Sequence, residues 1–320
     1  VKGDLFTSIR SACAAVARRA KHVRINTAGL ADYAAGLPVD QVLQPTLDPA
    51  SHFLGSEADT AAFFLVLDAI NFGSGYFPHL AKLPGKSGYF TIATCLTTWF
   101  RSAVPTAETL CRLGLDDCAM IFGQPMQDPA AAELMGLFAK ALNDLGRLLQ
   151  EQFNGSAAGM IAAANGSAAT LINLLAQMPF FRDIQRYGDL EVPFFKRAQL
   201  TVADLNLAFK GQGLGRFADL DRLTIFADNL VPHVLHMDGI LSYCDDLGAR
   251  INQGQLIVQG SAEEIEIRAC ALTAVEQICV RLGQNGFDVR PRWLDYLFWH
   301  RGQQLCYKAK PRHRCRSVYY

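Results

Sequence analysis

The sequence predicts a mostly α, compact multi-helix fold with at most a small β element. Ala-rich segments with apolar residues at helical spacing dominate the chain, capping residues and prolines bracket them, and only residues 180–193 contain a convincing extended piece. Half of the 320 residues are hydrophobic and 19% are charged, which is ample material for a core. No internal repeat or low-complexity linker divides residues 1–320. The chain is therefore read as a single domain, with room for two helical lobes around a cleft.

Residues 4–21 form an amphipathic helix with Leu5, Ile9, Cys13, Val16 and Ala17 on one side, and residues 30–36 a short helix closed by Gly36. Residues 37–56 are loop. Residues 57–72 are apolar nearly all round, the mark of a buried helix. Residues 73–88 are loop, and 89–101, 106–122 and 129–153 are helices, the last starting near Pro129. Residues 167–177 make a short helix that ends before Pro179, and 194–209 return to helix after the extended piece. The loop 210–217 leads into a helix that ends at Asp228. A second begins near Pro232 and runs to Leu241. Residues 250–259 are a small hairpin or a loop. Ser261 and Glu264 have capping-box spacing and open a helix over 263–282, and residues 291–301 form the last helix.

Composition removes several function classes. Thirty basic residues balance thirty acidic ones, against a general nucleic-acid or membrane-surface binder. No run of about 18 apolar residues offers a transmembrane helix. The first residues lack the pattern of a signal peptide. The nine cysteines are odd in number and show no CxxC pair, which fits a reducing cytoplasm. No zinc-site spacing or HExxH occurs, so no metal is expected. The glycine-rich stretch Lys210–Arg216 lacks the ending of a P-loop and follows a helix, so it is a plain loop. There is no GxSxG elbow and no cysteine in the setting of a nucleophile.

Candidate chemistry centres on Asp228, the one acid within the apolar run Leu223–Val231. A carboxylate there is costly to bury without partners. At the mouth of the second helix, free N–H groups and the helix dipole favour it. Such an acid either caps a helix or faces a reaction that builds positive charge. Lys196 and Arg197 stand at the start of a helix, where cations are unfavourable. A bound phosphate would compensate them, and so would an internal salt bridge. The basic tail Arg312, His313, Arg314, Arg316 ends in two tyrosines. It is either a flexible terminus or docks with Trp293, Tyr296 and Trp299 to stack on a flat base.

An ordered set of segments carries a family resemblance. The set comprises Phe63–Phe72, Phe195–Gln199 with Ala203-Asp204, Leu223–Asp228 with Val231-Pro232, and Glu264–Arg268 with Ala274–Glu276. It continues with Leu294-Asp295 and Trp299, and ends in Arg312–Tyr320. Over roughly residues 50 to 320 it resembles the queuosine salvage proteins, the queuosine 5′-phosphate N-glycosylase/hydrolase family. Two departures stand out: Asn229-Leu230 replaces a tyrosine-arginine after the acid, and Gly73-Ser-Gly75 replaces a bulkier aromatic-containing run. Both bear on the shape of the base pocket.

The resemblance implies a fold similar to helix-hairpin-helix DNA glycosylases and hydrolysis of the N-glycosidic bond of queuosine 5′-monophosphate. Free queuine is then available for transfer RNA, without metal or cofactor. It makes Asp228 the catalytic carboxylate, beside a developing oxocarbenium ion. The base is a 7-deazapurine without an N7 to protonate, so leaving-group help falls to hydrogen bonds from His52, Asp68, Asn71 and Asp295. Asp68 and Asn71 serve equally well as ties between buried helices. Phe72, Phe226, Trp299 and Tyr320 would wall the base, with Tyr296 and Asn229 beside them, and Lys196 and Arg197 would take the 5′-phosphate. Tyr320 as pure packing remains open. Small-molecule partners are expected, with no membrane and no stable nucleic-acid complex. The rivals are a non-catalytic binder of a modified base, nucleotide or tRNA, and a DNA glycosylase.

Overall fold

The computed structural model describes residues 4–39 and 45–320. It is mostly helical, with two small antiparallel two-stranded sheets. In chain order the elements are α1 (Leu5–Arg19), β1 (Val23–Ile25), α2 (Leu30–Ala35), α3 (Glu57–Ala69), α4 (Gly88–Ser102), α5 (Ala107–Arg112) and α6 (Leu115–Ile121). There follow α7 (Pro129–Phe153), α8 (Ala157–Ala163), α9 (Ala168–Leu175), β2 (Ile184–Tyr187), β3 (Leu190–Pro193) and α10 (Lys196–Ala208). The last are α11 (Leu230–Met237), β4 (Leu241–Tyr243), α12 (Asp245–Asn252), α13 (Ala262–Gln284), α14 (Pro291–Arg301) and α15 (Leu305–Lys308). The chain divides into two compact units.

The first unit comprises Val1–Pro45, Asp183–Lys196 and Asp221–Arg316. Its axis is α13, where every residue from Glu264 to Val275 is buried. Ser261 caps its start: the Glu264 N–H donates to Ser261 Oγ at 3.3 Å. The Glu264 carboxylate in turn accepts from Gly260 N–H at 3.3 Å, one residue short of a reciprocal capping box. Helices α1, α2 and α11 and strand β1 pack against α13. Glu266 ties that packing together. Its Oε2 accepts the N–H groups of Lys21, His22 and Val23 at 3.0, 2.6 and 3.1 Å, and its Oε1 accepts from Tyr187 Oη at 2.8 Å. Hydrogen bonds to a charged group are the stronger kind, so Glu266→Gln should cost about 2 kcal/mol, read as a lowered midpoint in urea unfolding.

The second unit comprises Thr46–Arg182, Arg197–Leu220 and Ser317–Tyr320. Its spine is α7, opened by Asp128, whose Oδ1 accepts from Ala130 and Ala131 N–H at 2.8 and 3.3 Å, with Pro129 at the first position. Its buried stripe runs from Leu134 and Met135 through Phe138 and Leu142 to Leu145 and Leu149. Helices α3, α5, α6 and α8 pack on it. Helix α3, capped by Ser56, is buried from Thr60 to Asp68 apart from Ala62.

Several elements differ from the sequence reading. The helix expected over 106–122 is two, α5 and α6, because the Gly114 N–H turns to the Asp117 carboxylate at 2.8 Å and starts a new helix. Helix α8 had no expected counterpart. The helix expected to reach Leu241 stops at Met237. Gly239 then takes φ +77°, and Leu241–Tyr243 pairs with Val23–Ile25 in a second sheet that three-residue strands hardly announce. The extended piece expected within 180–193 is the hairpin β2–β3, with Ile184 opposite Pro193. Residues 245–252 are helical, which shortens the expected hairpin or loop to the stretch after Asn252. Part of the loop expected over 37–56, residues 40–44, lies outside the described residues.

Candidate active site

The helix expected to end at Asp228 does not form. Residues 223–227 are irregular, and all five are buried. Side chains from two helices take two of their backbone groups. Phe226 N–H donates to Asp295 Oδ1 at 2.8 Å, and Ala227 O accepts from Arg268 Nε at 2.9 Å. Side-chain partners on two helices thus pin a buried segment that has no face for water. The segment delivers Asp228 to the start of α11. There Asp228 Oδ1 accepts the N–H groups of Leu230 and Val231 at 2.7 and 3.2 Å, while Pro232 occupies the first turn without needing a donor. Asp228 is half-buried.

A second acid stands by it. Asp295, on α14, is buried, and its carboxyl is pushed up to about 8 by burial and by the charge of Asp228. The Phe226 N–H and Lys196 oppose that shift without cancelling it. Asp295 is therefore neutral at pH 7 and able to donate. Such a pair, one carboxylate beside one carboxylic acid, is the usual arrangement where two acids take different roles.

Cations complete this neighbourhood. Lys196 opens α10 and is buried, its backbone N–H on Asp183 Oδ2 at 3.2 Å. Arg312 is half-buried, and burial lowers its pKa against the pull of Asp228. Next to it His313 is fully buried, and burial with Arg268 and Arg312 nearby pushes it down to about 3, so it stays neutral. Asn229 Nδ2 donates to His313 O at 3.4 Å, fixing the tail beside the acid. The sequence reading gave Arg312 no individual place at the site, although the tail motif containing it was a signal.

Arg197 corrects the phosphate assignment. It is 1% exposed, in the second unit, and its guanidinium is turned to main-chain carbonyls. Nη1 donates to Asp68 O and Ala69 O at 2.8 and 2.7 Å, and Nη2 to Val318 O at 2.8 Å and to Phe180 O. The rings of Phe72 and Phe181 lie against it at 4.8 and 4.5 Å. Four carbonyls at the end of α3 and in neighbouring chain already compensate this cation, leaving no fork for a phosphate.

The other second-unit candidates are His52, Asp68, Asn71, Phe72 and Tyr320. Asn71 and Phe72 line one small pocket with Leu67, Phe77, Tyr89 and Phe138. Asn71 Nδ2 reaches Asp68 Oδ1 at 3.5 Å, and Phe72 meets Phe138 and Phe180 edge to face. Asp68 is fully buried. His52 stacks on Phe64 and lies 3.5 Å from Tyr89 Oη, with burial lowering its pKa. Tyr320 is buried, and its main-chain oxygen accepts the N–H of Gly73, which sits at φ +97°. In the first unit, Tyr296 and Trp299 are half-buried on α14, both edge-on to His300, and Phe226 is 8% exposed. Among the described residues no group of three His, Cys, Asp or Glu side chains is placed to hold a metal ion.

A carboxylate at a helix mouth, a neutral carboxylic acid and two cations can stabilise a cationic sugar, assist a leaving base and hold an anion. The profile described as queuosine salvage protein matches residues 51–320. The chain belongs to the queuosine salvage protein family. A relative from Sphaerobacter thermophilus is 36% identical over 95% of this chain and 95% of its own. One from Dictyostelium discoideum is 29% identical over 98% and 99%, and one from Mus musculus 30% identical over 73% and 72%. All three carry the name queuosine 5′-phosphate N-glycosylase/hydrolase. Asn229 holds the tail through its side chain, whereas Leu230 and Gly73 meet Asp228 and Tyr320 through backbone N–H groups that any non-proline residue supplies.

Proposed function

We propose that this chain hydrolyses the N-glycosidic bond of queuosine 5′-phosphate and releases queuine. Family membership carries the reading, and the Asp228 neighbourhood gives it a mechanism. As the bond from C1′ to the base breaks, positive charge grows on the ribose and the Asp228 carboxylate faces it. Leu230 and Val231 N–H hold that carboxylate, so it needs no reorganisation at the moment of reaction. Asp295, neutral, gives the departing 7-deazapurine a hydrogen bond. A water then completes the ribose, its oxygen going to C1′ and its proton to the base. Phe226, Tyr296 and Trp299 offer flat faces to the base.

Lys196 and Arg312 take the 5′-phosphate in this reading, replacing Lys196 and Arg197. Changing both Lys196 and Arg312 to alanine should raise KM for the nucleotide about 100-fold, as two charge-assisted contacts are lost, and leave the nucleoside nearly unaffected. An unchanged nucleotide-to-nucleoside ratio would move the phosphate elsewhere. The reaction itself is tested by incubating the chain with queuosine 5′-phosphate, without added metal, and separating free queuine by chromatography. Retention of intact nucleotide would favour a binding protein. Balanced charge suits a free nucleotide better than duplex DNA, whose binding draws on many phosphate contacts. The nine unbridged cysteines suit a reducing cytoplasm.

A further inference from the structure

Asp183 and Arg268 form a buried ion pair with no part in the chemistry above. Arg268 lies in the second turn of α13, fully buried, and Asp183 just before β2 is 1% exposed. The pairing is bidentate: Nη1 to Oδ1 at 3.1 Å and Nη2 to Oδ2 at 2.5 Å. Glu264 Oε1 accepts a further bond from Nη1 at 3.3 Å, and the Phe194 ring lies 4.0 Å from the guanidinium. Each partner also reaches one arm of the site. Arg268 Nε donates to Ala227 O, the carbonyl immediately before Asp228. Asp183 Oδ2 accepts the backbone N–H of Lys196, and Asp183 O accepts from Phe194 and Phe195 N–H at 2.9 and 3.3 Å.

The backbone gives an independent sign. Phe195 sits at φ +48°, a left-handed conformation that a bulky side chain avoids. Such strain persists only where the surroundings over-determine it, and it collects at working sites. Here the three N–H groups of Phe194, Phe195 and Lys196 all converge on Asp183. A buried ion pair is also a weak source of net stability, since well-packed apolar residues often serve as well. What apolar residues cannot do is hold a particular carbonyl and a particular N–H at a fixed separation.

We propose that Asp183 and Arg268 are positioning residues that set the Asp228 carboxylate and Lys196 in register with one another. This rests on the functional reading above. Lysine has no fork, so Arg268→Lys cannot grip Asp183 bidentately and keep Ala227 O. A displacement of about 1 Å at a reacting group lowers turnover about 100-fold, so kcat should fall about 10- to 100-fold. Asp183→Asn should lower kcat and also raise KM for the nucleotide but not for the nucleoside, because it loosens the Lys196 arm.

The experiment measures kcat, KM for both substrates and Tm for the wild type, Arg268→Lys, Asp183→Asn and the apolar double variant Asp183→Leu with Arg268→Met. Glu266→Gln, on the same helix with its bonds elsewhere, is the control and should lose Tm while keeping kcat. The double variant should recover Tm yet remain at least 10-fold down in kcat. Recovery of kcat along with Tm, or wild-type kcat and KM in the folded single variants, would overturn the positioning role. Should the double variant fail to fold, Arg268→Lys decides alone. A wild-type chain that releases no queuine would overturn the functional reading instead, a distinguishable result.

Discussion

Asp228→Asn should lower queuine release about 1,000-fold, the scale of removing a preorganised electrostatic partner of the transition state. The substitution keeps an oxygen for Leu230 and Val231 N–H, so the start of α11 stays capped and Tm should hardly move. Nucleotide binding should persist, because in the proposed mechanism the carboxylate acts on charge that appears only as the bond breaks. Single-turnover chromatography gives the rate, and calorimetry with intact nucleotide gives the affinity. Asp228→Ala makes the contrast: it removes the cap as well, and should cost about 1 kcal/mol of stability in addition. If Asp228→Asn turned over at the wild-type rate while Asp228→Ala lost only stability, the acid would be a helix cap and the chemistry would belong elsewhere.

The place of Asp228 was legible because it depends on local rules. An acid two residues before a helix that carries proline in its first turn falls beside the first free N–H groups, whatever the rest of the chain does. The same locality made α1, α7, α13 and α14 readable, since the first three combine a side-chain cap with a sustained apolar stripe and α14 has a proline start. Residues 223–227 were misread for the opposite reason. Their hydrophobic run resembles a buried helix, yet what shapes them is Asp295, 69 positions from Phe226, and Arg268, 41 positions from Ala227. Arg197 failed in a related way. A cation at a helix start does need compensation, but the sequence could not say that main-chain carbonyls from residues 121 to 129 positions away, together with Phe180, would supply it. Asp183 and Arg268 were invisible as a pair, 85 positions apart; only the motif Glu264–Arg268 pointed toward one of them.

Turnover should fall as pH rises through about 8, the value to which burial and the Asp228 charge push Asp295. Below it Asp295 is neutral; above it a second negative charge stands near Asp228, and the hydrogen bond proposed to the leaving base is lost. Stability should follow the same group. Between its unfolded value of 3.8 and about 8, the folded chain holds a proton that the unfolded chain has released. Its contribution is therefore complete below 3.8 and is lost as pH rises toward 8, at about 1.4 kcal/mol per pH unit within that window for a single proton. Asp295→Asn is neutral at every pH and can still accept from Phe226 N–H, so it should abolish both the alkaline limb of kcat and this component of the stability slope. Its turnover at pH 7 should drop as well, because an amide donates a weaker hydrogen bond than a carboxylic acid. A limb near pH 8 that survives in Asp295→Asn would assign the titration to another group and return Asp295 to a purely structural bond with Phe226.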